Sequence, residues 1–348
     1  MVNHWDIIII GAGLAGSALA ENISQSGLRT LLLESAEPGS GGASARSRGI
    51  VRVYDPNPTL MQYNVGGVRE WQRLNQRWPG IFRRCGVIYL LREEHIPGAQ
   101  VLLREFSSSE YPIELISRQQ AQKLMPELNI PPKAGILYES QGGYVNPRLA
   151  CQLLAHQARE QGTELLEGVQ ANRVESQRSG VNVHTEHQVL SARLAVVAAG
   201  AYSRTLIPEI PLFSRSIPLS TLYSTDAQAP QTCLIDEYSG SYMRPGSTSF
   251  VFAGGAPQHD AAAPTALPQS ISAHSANLQL AQQMLPGIPL QLSHGWDGYD
   301  GYTADFLPQT RLIAERHLAL FCGFSGRGAK YIPDAARQFS QQILEYLQ

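Results

Sequence analysis

Glycines at positions 11, 13 and 16 constrain this chain more than any other feature, because they follow an apolar run and open a helical pattern. Residues Asp6 to Ile10 read as a parallel strand buried on both faces. Leu14 to Ser26 has helical spacing, Gly27 stops it, and Thr30 to Leu33 reads as a second buried strand, which completes a βαβ unit. In such a unit Gly11 allows a tight turn, Gly13 lets a pyrophosphate approach the backbone, and Gly16 lets the helix pack close to the strand. Glu34 ends the second strand near the ~20-residue offset at which an acid accepts from a ribose hydroxyl, and it would repel a 2′-phosphate. The unit therefore predicts a dinucleotide site, with Leu14 and Ala15 counted among its binding residues. By itself it does not choose between NAD and FAD.

With 348 residues the chain has the length of about two domains. Only 16% of residues are charged, against roughly 25% in an average soluble domain, and 31 glycines with 22 prolines predict many loops. A net charge of -2 without long runs of one sign excludes the footprint of a nucleic-acid binder or a polybasic membrane anchor. No apolar stretch reaches the ~20 residues that span a bilayer, and the N-terminus reads as a strand rather than a signal peptide. Cys85, Cys151, Cys233 and Cys322 have neither CxxC nor metal-type spacing, so no metal is expected and a reducing, cytoplasmic compartment fits. Lys123, Lys133 and Lys330 are the only lysines among 27 basic residues.

Further helices are expected over Leu60–Arg77, Pro147–Gln161, Ser272–Met284 and Pro333–Leu347, and strands over Arg84–Leu91, near Leu165 and Val181, and over Leu194–Ala198 and Leu318–Cys322. Arg215 to Phe252 is strand-rich. Pro38–Arg52 and Ala256–Gln269 read as loops.

Three segments favour FAD. They are the loop Gly41-Gly-Ala-Ser-Ala-Arg-Ser-Arg-Gly-Ile-Val-Arg52, the strand and turn Leu194-Ala-Val-Val-Ala-Ala-Gly-Ala-Tyr202, and the turn Gly323-Phe-Ser-Gly-Arg-Gly-Ala-Lys330. With them the chain resembles, over nearly its whole length, the FAD-dependent D-amino-acid oxidase superfamily, and within it the glycine oxidase and monomeric sarcosine oxidase branch. The resemblance implies non-covalent FAD. Ser44, Arg46, Ser47 and Arg48 would serve the flavin-side loop, Ala171 the adenine, Ala199 and Gly200 the second turn, and Gly326, Arg327, Gly328 and Lys330 the third. Helix N-termini and backbone N–H groups supply anion contacts in such turns.

On the substrate side, Arg52 ends Gly-Ile-Val-Arg and Lys330 ends the third turn, where the resemblance implies a clamp on a carboxylate. A guanidinium fork and an ammonium can together neutralise an anion in a dry pocket; a structural ion pair is the other reading of each. Tyr242, in Ser-Tyr-Met-Arg-Pro, matches an aromatic over the flavin, or else is a core tyrosine. Residues Trp296, Gly298, Thr303, Asp305 and Pro308 match a family pattern in which Asp300 replaces a carboxylate-gripping arginine. Asp300 would then face an amine, accept a hydrogen bond or simply make a turn. Gly298 stands where sarcosine oxidases carry a flavin-linking cysteine, and Ser249 to Gly254 lacks the lysine those enzymes use to activate oxygen.

The expected fold is α/β plus α+β. A Rossmann-like FAD domain is expected from residues 1–52, 141–212 and 290–348, and a substrate domain with an antiparallel sheet from 53–140 and 213–289. The expected activity is oxidation of the C–N bond of an amino acid or N-substituted amino acid to an imine, with Arg52, Tyr242, Asp300 and Lys330 at the reaction site and oxygen accepting the electrons. A dehydrogenase with another acceptor, or a FAD-bearing subunit of an assembly with a protein partner or further copies of itself, is the alternative.

Overall fold

A computed structural model describes residues 4–224, 229–246, 248–268 and 271–348. The opening unit forms as its periodicity predicts. Strand His4–Ile10 lies between Thr30–Leu33 and Val189–Val197, parallel to both, and Ile7, Ile8 and Ile9 are fully buried. Helix Leu14–Ile23 follows Gly11, and Ser24–Ser26 continues it as one 3-10 turn before Gly27 adopts φ +80°. Parallel strands Glu164–Leu166 and Leu318–Cys322 extend the sheet, and antiparallel strands Ala171–Gln177, Gly180–Thr185 and Gln309–Ile313 complete eight. Helices Leu14–Ile23, Pro147–Glu160 and Ile332–Leu347 cover one face of this sheet, burying Leu19, Leu154 and Phe339.

A second, nine-stranded sheet is mixed, mostly antiparallel. It contains Phe213–Tyr223, Cys233–Asp236, Ser241–Pro245 and Phe250–Gly254 together with Val87–Leu91, Ile113–Leu115 and Gly135–Glu139. Strand Gln291–Tyr302 pairs along the whole of Phe213–Tyr223. Its sheet membership thus lies with the substrate-side strands, although sequence grouped residues 290–348 with the cofactor segments. The cause is long-range pairing that local periodicity does not encode.

Two further differences matter for the site. The glycine-rich stretch after Pro38 is not all loop: Gly42–Arg46 is a short helix and Ile50–Val51 a short strand against Gly143–Val145. Ala256–Gln269 contains a two-residue strand, Asp260–Ala261, paired with Ser214 and Arg215, and a 3-10 turn at Pro264–Ala266, with Gln269 outside the described residues. Among the described residues no helix is long and apolar enough to cross a membrane.

Candidate active site

Loops at the strand ends of the first sheet and the inner face of the second enclose a cavity of about 750 Å³. That volume lies in the range of small-molecule and cofactor sites, roughly 300–1,000 Å³. Every site residue singled out in the sequence lines it except Gly16. Gly16 acts one layer back, where a Cβ would sit 1.8 Å from the Gly11 carbonyl oxygen, so helix and turn can touch only without a side chain. Gly11 has φ +100° and lies against Ala198 and Ala199, so the first turn and the Ala199–Gly200 turn meet.

At this end the helix Leu14–Ile23 has Gly13 as its N-cap and no cap from its own first turn. Ser44 serves instead: its Oγ accepts from the Leu14 N–H at 3.0 Å. The Glu34 carboxylate accepts from the Ala12 N–H at 2.7 Å and the Ala36 N–H at 3.0 Å, which fixes the acid at the cavity rim beside the glycine turn. Ala171 begins its strand on the same cavity wall, two residues after Val169, whose N–H donates to the Glu34 carbonyl at 2.9 Å.

The loop Gly41–Arg52 carries its cations onto aromatic faces. Arg46 lies 5.4 Å from the Tyr299 ring centre, and its carbonyl accepts from the Trp296 indole N–H at 3.2 Å. Ser47 Oγ accepts from the Gly49 N–H at 3.1 Å, holding the loop's exit. Arg48 lies 4.2 Å over Trp296 and 4.7 Å over Phe252, and Arg244 lies 4.5 Å from the same Phe252 and 4.1 Å from Tyr144. Burial, and then the charge of Arg244, push the Arg48 guanidinium down to about 10. Neither arginine forms an ion pair among the described residues, and the Nε of each is buried without a hydrogen-bond partner.

The other end holds a charged corner. Lys330 is 5% exposed and donates from Nζ to Asp55 Oδ2 at 2.9 Å; Asp55 is 1% exposed, with Arg327 Nη1 3.5 Å from its second oxygen. Burial alone would raise the Asp55 carboxyl, but Lys330, Arg52 and Arg327 outweigh it and hold the group at about 2. Burial, with the nearby Arg52 and Arg327 charges against the pull of Asp55, brings Lys330 down to about 8. Arg52 lies 4.9 Å from the Tyr89 ring centre, and its Nη1 is buried with no partner. Arg52 and Lys330 are therefore brought together, but Lys330 is already engaged by Asp55, whereas Arg52 keeps a free donor on the cavity wall.

Asp300 accepts from the Gly301 N–H at 2.8 Å and the Gly326 N–H at 2.9 Å, so it anchors the third glycine turn. That turn has little slack: at Gly326, with φ +69°, a Cβ would sit 2.4 Å from the Tyr302 hydroxyl, and at Gly328 2.5 Å from the Ile332 side chain. Burial pushes the Asp300 carboxyl up to about 6, with the two N–H donors opposing it. A raised folded-state value means stability fully present below the ordinary 3.8 and lost as pH rises through about 6. Asp300→Asn should remove this loss, so the wild type should melt progressively lower relative to the variant across that window. Parallel melting profiles would show a solvated carboxyl. Tyr242 faces the cavity from strand Ser241–Pro245, its hydroxyl pushed up to about 12 by burial.

Sequence reasoning missed Asp55 and Arg244. Arg244 had a signal, since strand alternation puts it on the face of Tyr242, two residues away. Asp55 had none beyond its place three residues after Arg52.

The arrangement fits a bound dinucleotide flavin. Two turns and a helix N-terminus admit backbone approach at one end, and buried guanidinium donors of Arg48, Arg52 and Arg244 lack protein partners along the cavity.

Comparison with known proteins agrees. A family model described as FAD dependent oxidoreductase matches residues 6–342. An N-methyl-L-tryptophan oxidase from Yersinia pestis (strain Pestoides F) is 28% identical over 211 residues, which cover 60% of this chain and 57% of that protein. The chain thus matches somewhat more than half the length of such curated relatives. Among solved structures, L-proline dehydrogenase from P. horikoshii aligns with a TM-score of 0.89 at 18% identity, covering 99% of this chain and 94% of the other. Glycine oxidase from Geobacillus kaustophilus aligns with a TM-score of 0.81 at 21% identity, covering 98% and 95%. These likenesses show the fold.

Proposed function

The chain belongs to the FAD-dependent oxidoreductase family, and from that premise we propose that it oxidises the C–N bond of an amino acid or N-substituted amino acid to an imine. Bound FAD supplies the acceptor for the hydride of the carbon that bears nitrogen. One observation carries the substrate class. The corner gathers Arg52, Arg327 and Lys330 around the buried carboxylate of Asp55, and the unpartnered Arg52 Nη1 lies at a residue of the cavity wall. A substrate carboxylate there satisfies the donor and lowers the surplus charge. Asp55 holds Lys330 and Arg327 in place, and Tyr242 closes the sheet side of the pocket. The third turn is fixed by Asp300. Water then hydrolyses the released imine.

Arg52→Ala should weaken carboxylate inhibitors by about 1.5–3 kcal/mol, the contribution of a charged hydrogen bond, read as a displaced titration of the flavin spectrum. Unchanged inhibitor affinity would assign Arg52 to structure. We assign dioxygen as the electron acceptor. Phe252 lies within the stretch that lacks a lysine, yet Arg48 and Arg244 converge on its ring, so positive charge that can stabilise negative charge developing on oxygen is present. Stopped-flow reoxidation by oxygen no faster than that of free flavin would favour the dehydrogenase reading instead. Four free cysteines support a reducing, cytoplasmic setting.

A further inference from the structure

The Sγ atoms of Cys85 and Cys233 lie 3.7 Å apart. They are 148 residues apart in sequence, but the pairing of strand Cys233–Asp236 with Val87–Leu91 brings Cys233 beside the turn that holds Cys85. Cys233 opposes Val87 in a parallel ladder, and its N–H donates to the Gly86 carbonyl at 3.1 Å. Gly86, at φ +76°, turns the chain directly after Cys85. A disulfide needs ~2.05 Å between sulfurs, a distance reachable from here by side-chain rotation and a small backbone adjustment.

The two thiols are chemically unequal. Cys85 is half-buried and Cys233 buried. The hydrogen bond from Cys233, helped by Arg83 and Arg244 and opposed by burial, lowers the Cys85 thiol, whereas burial raises Cys233. Cys151 and Cys322 are buried and pushed up to about 12, mainly by burial, which makes them poor nucleophiles. The pair also borders the cavity wall. Strand Cys233–Asp236 pairs with the strand that carries Tyr242 and Arg244, and Cys233 Sγ lies 3.7 Å from the Gly143 carbonyl, beside the Tyr144 ring that Arg244 covers.

We propose that Cys85 and Cys233 form a peroxide-oxidised dithiol whose closure to a disulfide acts on the cavity through Arg244. The Cys85 thiolate attacks one oxygen of hydrogen peroxide, the O–O bond breaks, and hydroxide leaves a sulfenic acid. Cys233, giving up its proton, attacks that sulfur and displaces its oxygen as water. Two thiols lose two electrons and two protons, and one peroxide becomes two waters. Closure replaces the thiol–thiol contact behind Arg244 with a covalent bond and removes the Cys233 contact to Gly143. The step is independent of which substrate the flavin oxidises.

The test treats the holoenzyme with stoichiometric hydrogen peroxide. The expected product is about 2 Da lighter than the starting protein, the mass of two hydrogens, and contains a Cys85–Cys233 cross-linked peptide with Cys151 and Cys322 still free. Dithiothreitol should reverse it. In Cys233→Ser, Cys85 should stop at a sulfenic acid that dimedone traps, and Cys85→Ser should show neither product. Affinity for a carboxylate inhibitor, read from the flavin spectrum, should differ between oxidised and reduced wild type and not in Cys85→Ser. Higher oxides at Cys85 without a cross-link, or reaction first at Cys151 or Cys322, would overturn the dithiol assignment. A disulfide that leaves inhibitor affinity unchanged would overturn its action on the cavity.

Discussion

Asp55→Ala should lose about 3–5 kcal/mol of stability to urea, the penalty for removing one partner of a buried ion pair. Lys330 would be left without its 2.9 Å acceptor, close enough to Arg52 and Arg327 to feel both charges. The loss should be pH-dependent. Since Asp55 pulls Lys330 upward, its removal should bring the ammonium below its value of about 8, and raising the pH should recover part of the stability. In the wild type Asp55 itself gives a slope of the same sign at acid pH. A carboxyl held at about 2 gives stability that is present above its ordinary 3.8 and is lost as pH falls through about 2. Asp55→Asn separates charge from size: it keeps an acceptor for Lys330 and should fall between wild type and alanine. A loss below about 1 kcal/mol in the alanine variant, as for an exposed pair, would mean the corner is solvated and its surplus charge does not govern anion binding.

The second large effect is expected at Gly16. A Cβ there would meet a backbone oxygen at 1.8 Å, and no rotamer relieves a clash with main chain. The helix must move away from the turn, at a cost of about 3 kcal/mol, the upper end for overpacked cores. The helix N-terminus then leaves its position beside Gly13 and Ser44. Gly16→Ala should therefore retain FAD at least 100-fold more weakly, about 2.7 kcal/mol, measured by flavin retention on gel filtration and by titration of the apoprotein. Gly98→Ala is the control. It lies in helix Ile96–Phe106 outside the cavity lining, its backbone is not left-handed, and its Cβ would meet nothing within 4 Å, so binding should be unchanged. Equal retention in the two variants would remove the close helix–turn contact as the basis of the site.

The contrast between these two positions shows what the sequence carries. Gly16 is legible because its reason is local: strand, turn and helix lie within one short window, and their periods change from uniform burial to helical spacing. Glu34 and the glycines of the third turn are legible for the same reason. Asp55 is not, because its partner Lys330 is 275 residues away and only the assembled cavity brings them together. The cation clamp inferred for Arg52 and Lys330 is altered by this one unseen carboxylate, which shifts the free donor to Arg52. Strand Gln291–Tyr302 is a similar case, since its pairing with Phe213–Tyr223 is set across the fold. Asp300, left between three roles by sequence, makes hydrogen bonds to the N–H groups of Gly301 and Gly326. The absence of lysine in Ser249–Gly254 was visible, but the convergence of Arg48 and Arg244 over Phe252 was not, since Arg48 comes from a loop some 200 residues earlier.

The most direct measurement is anaerobic reduction of the bound flavin by a panel of amino acids, N-alkyl amino acids, simple amines and 2-hydroxy acids. The expected result is rapid bleaching by amines that carry a carboxylate, slower or absent bleaching by amines without one, and selective loss of the advantage of the carboxylate in Arg52→Ala. Bleaching by 2-hydroxy acids with every amine inert would contradict oxidation of a C–N bond.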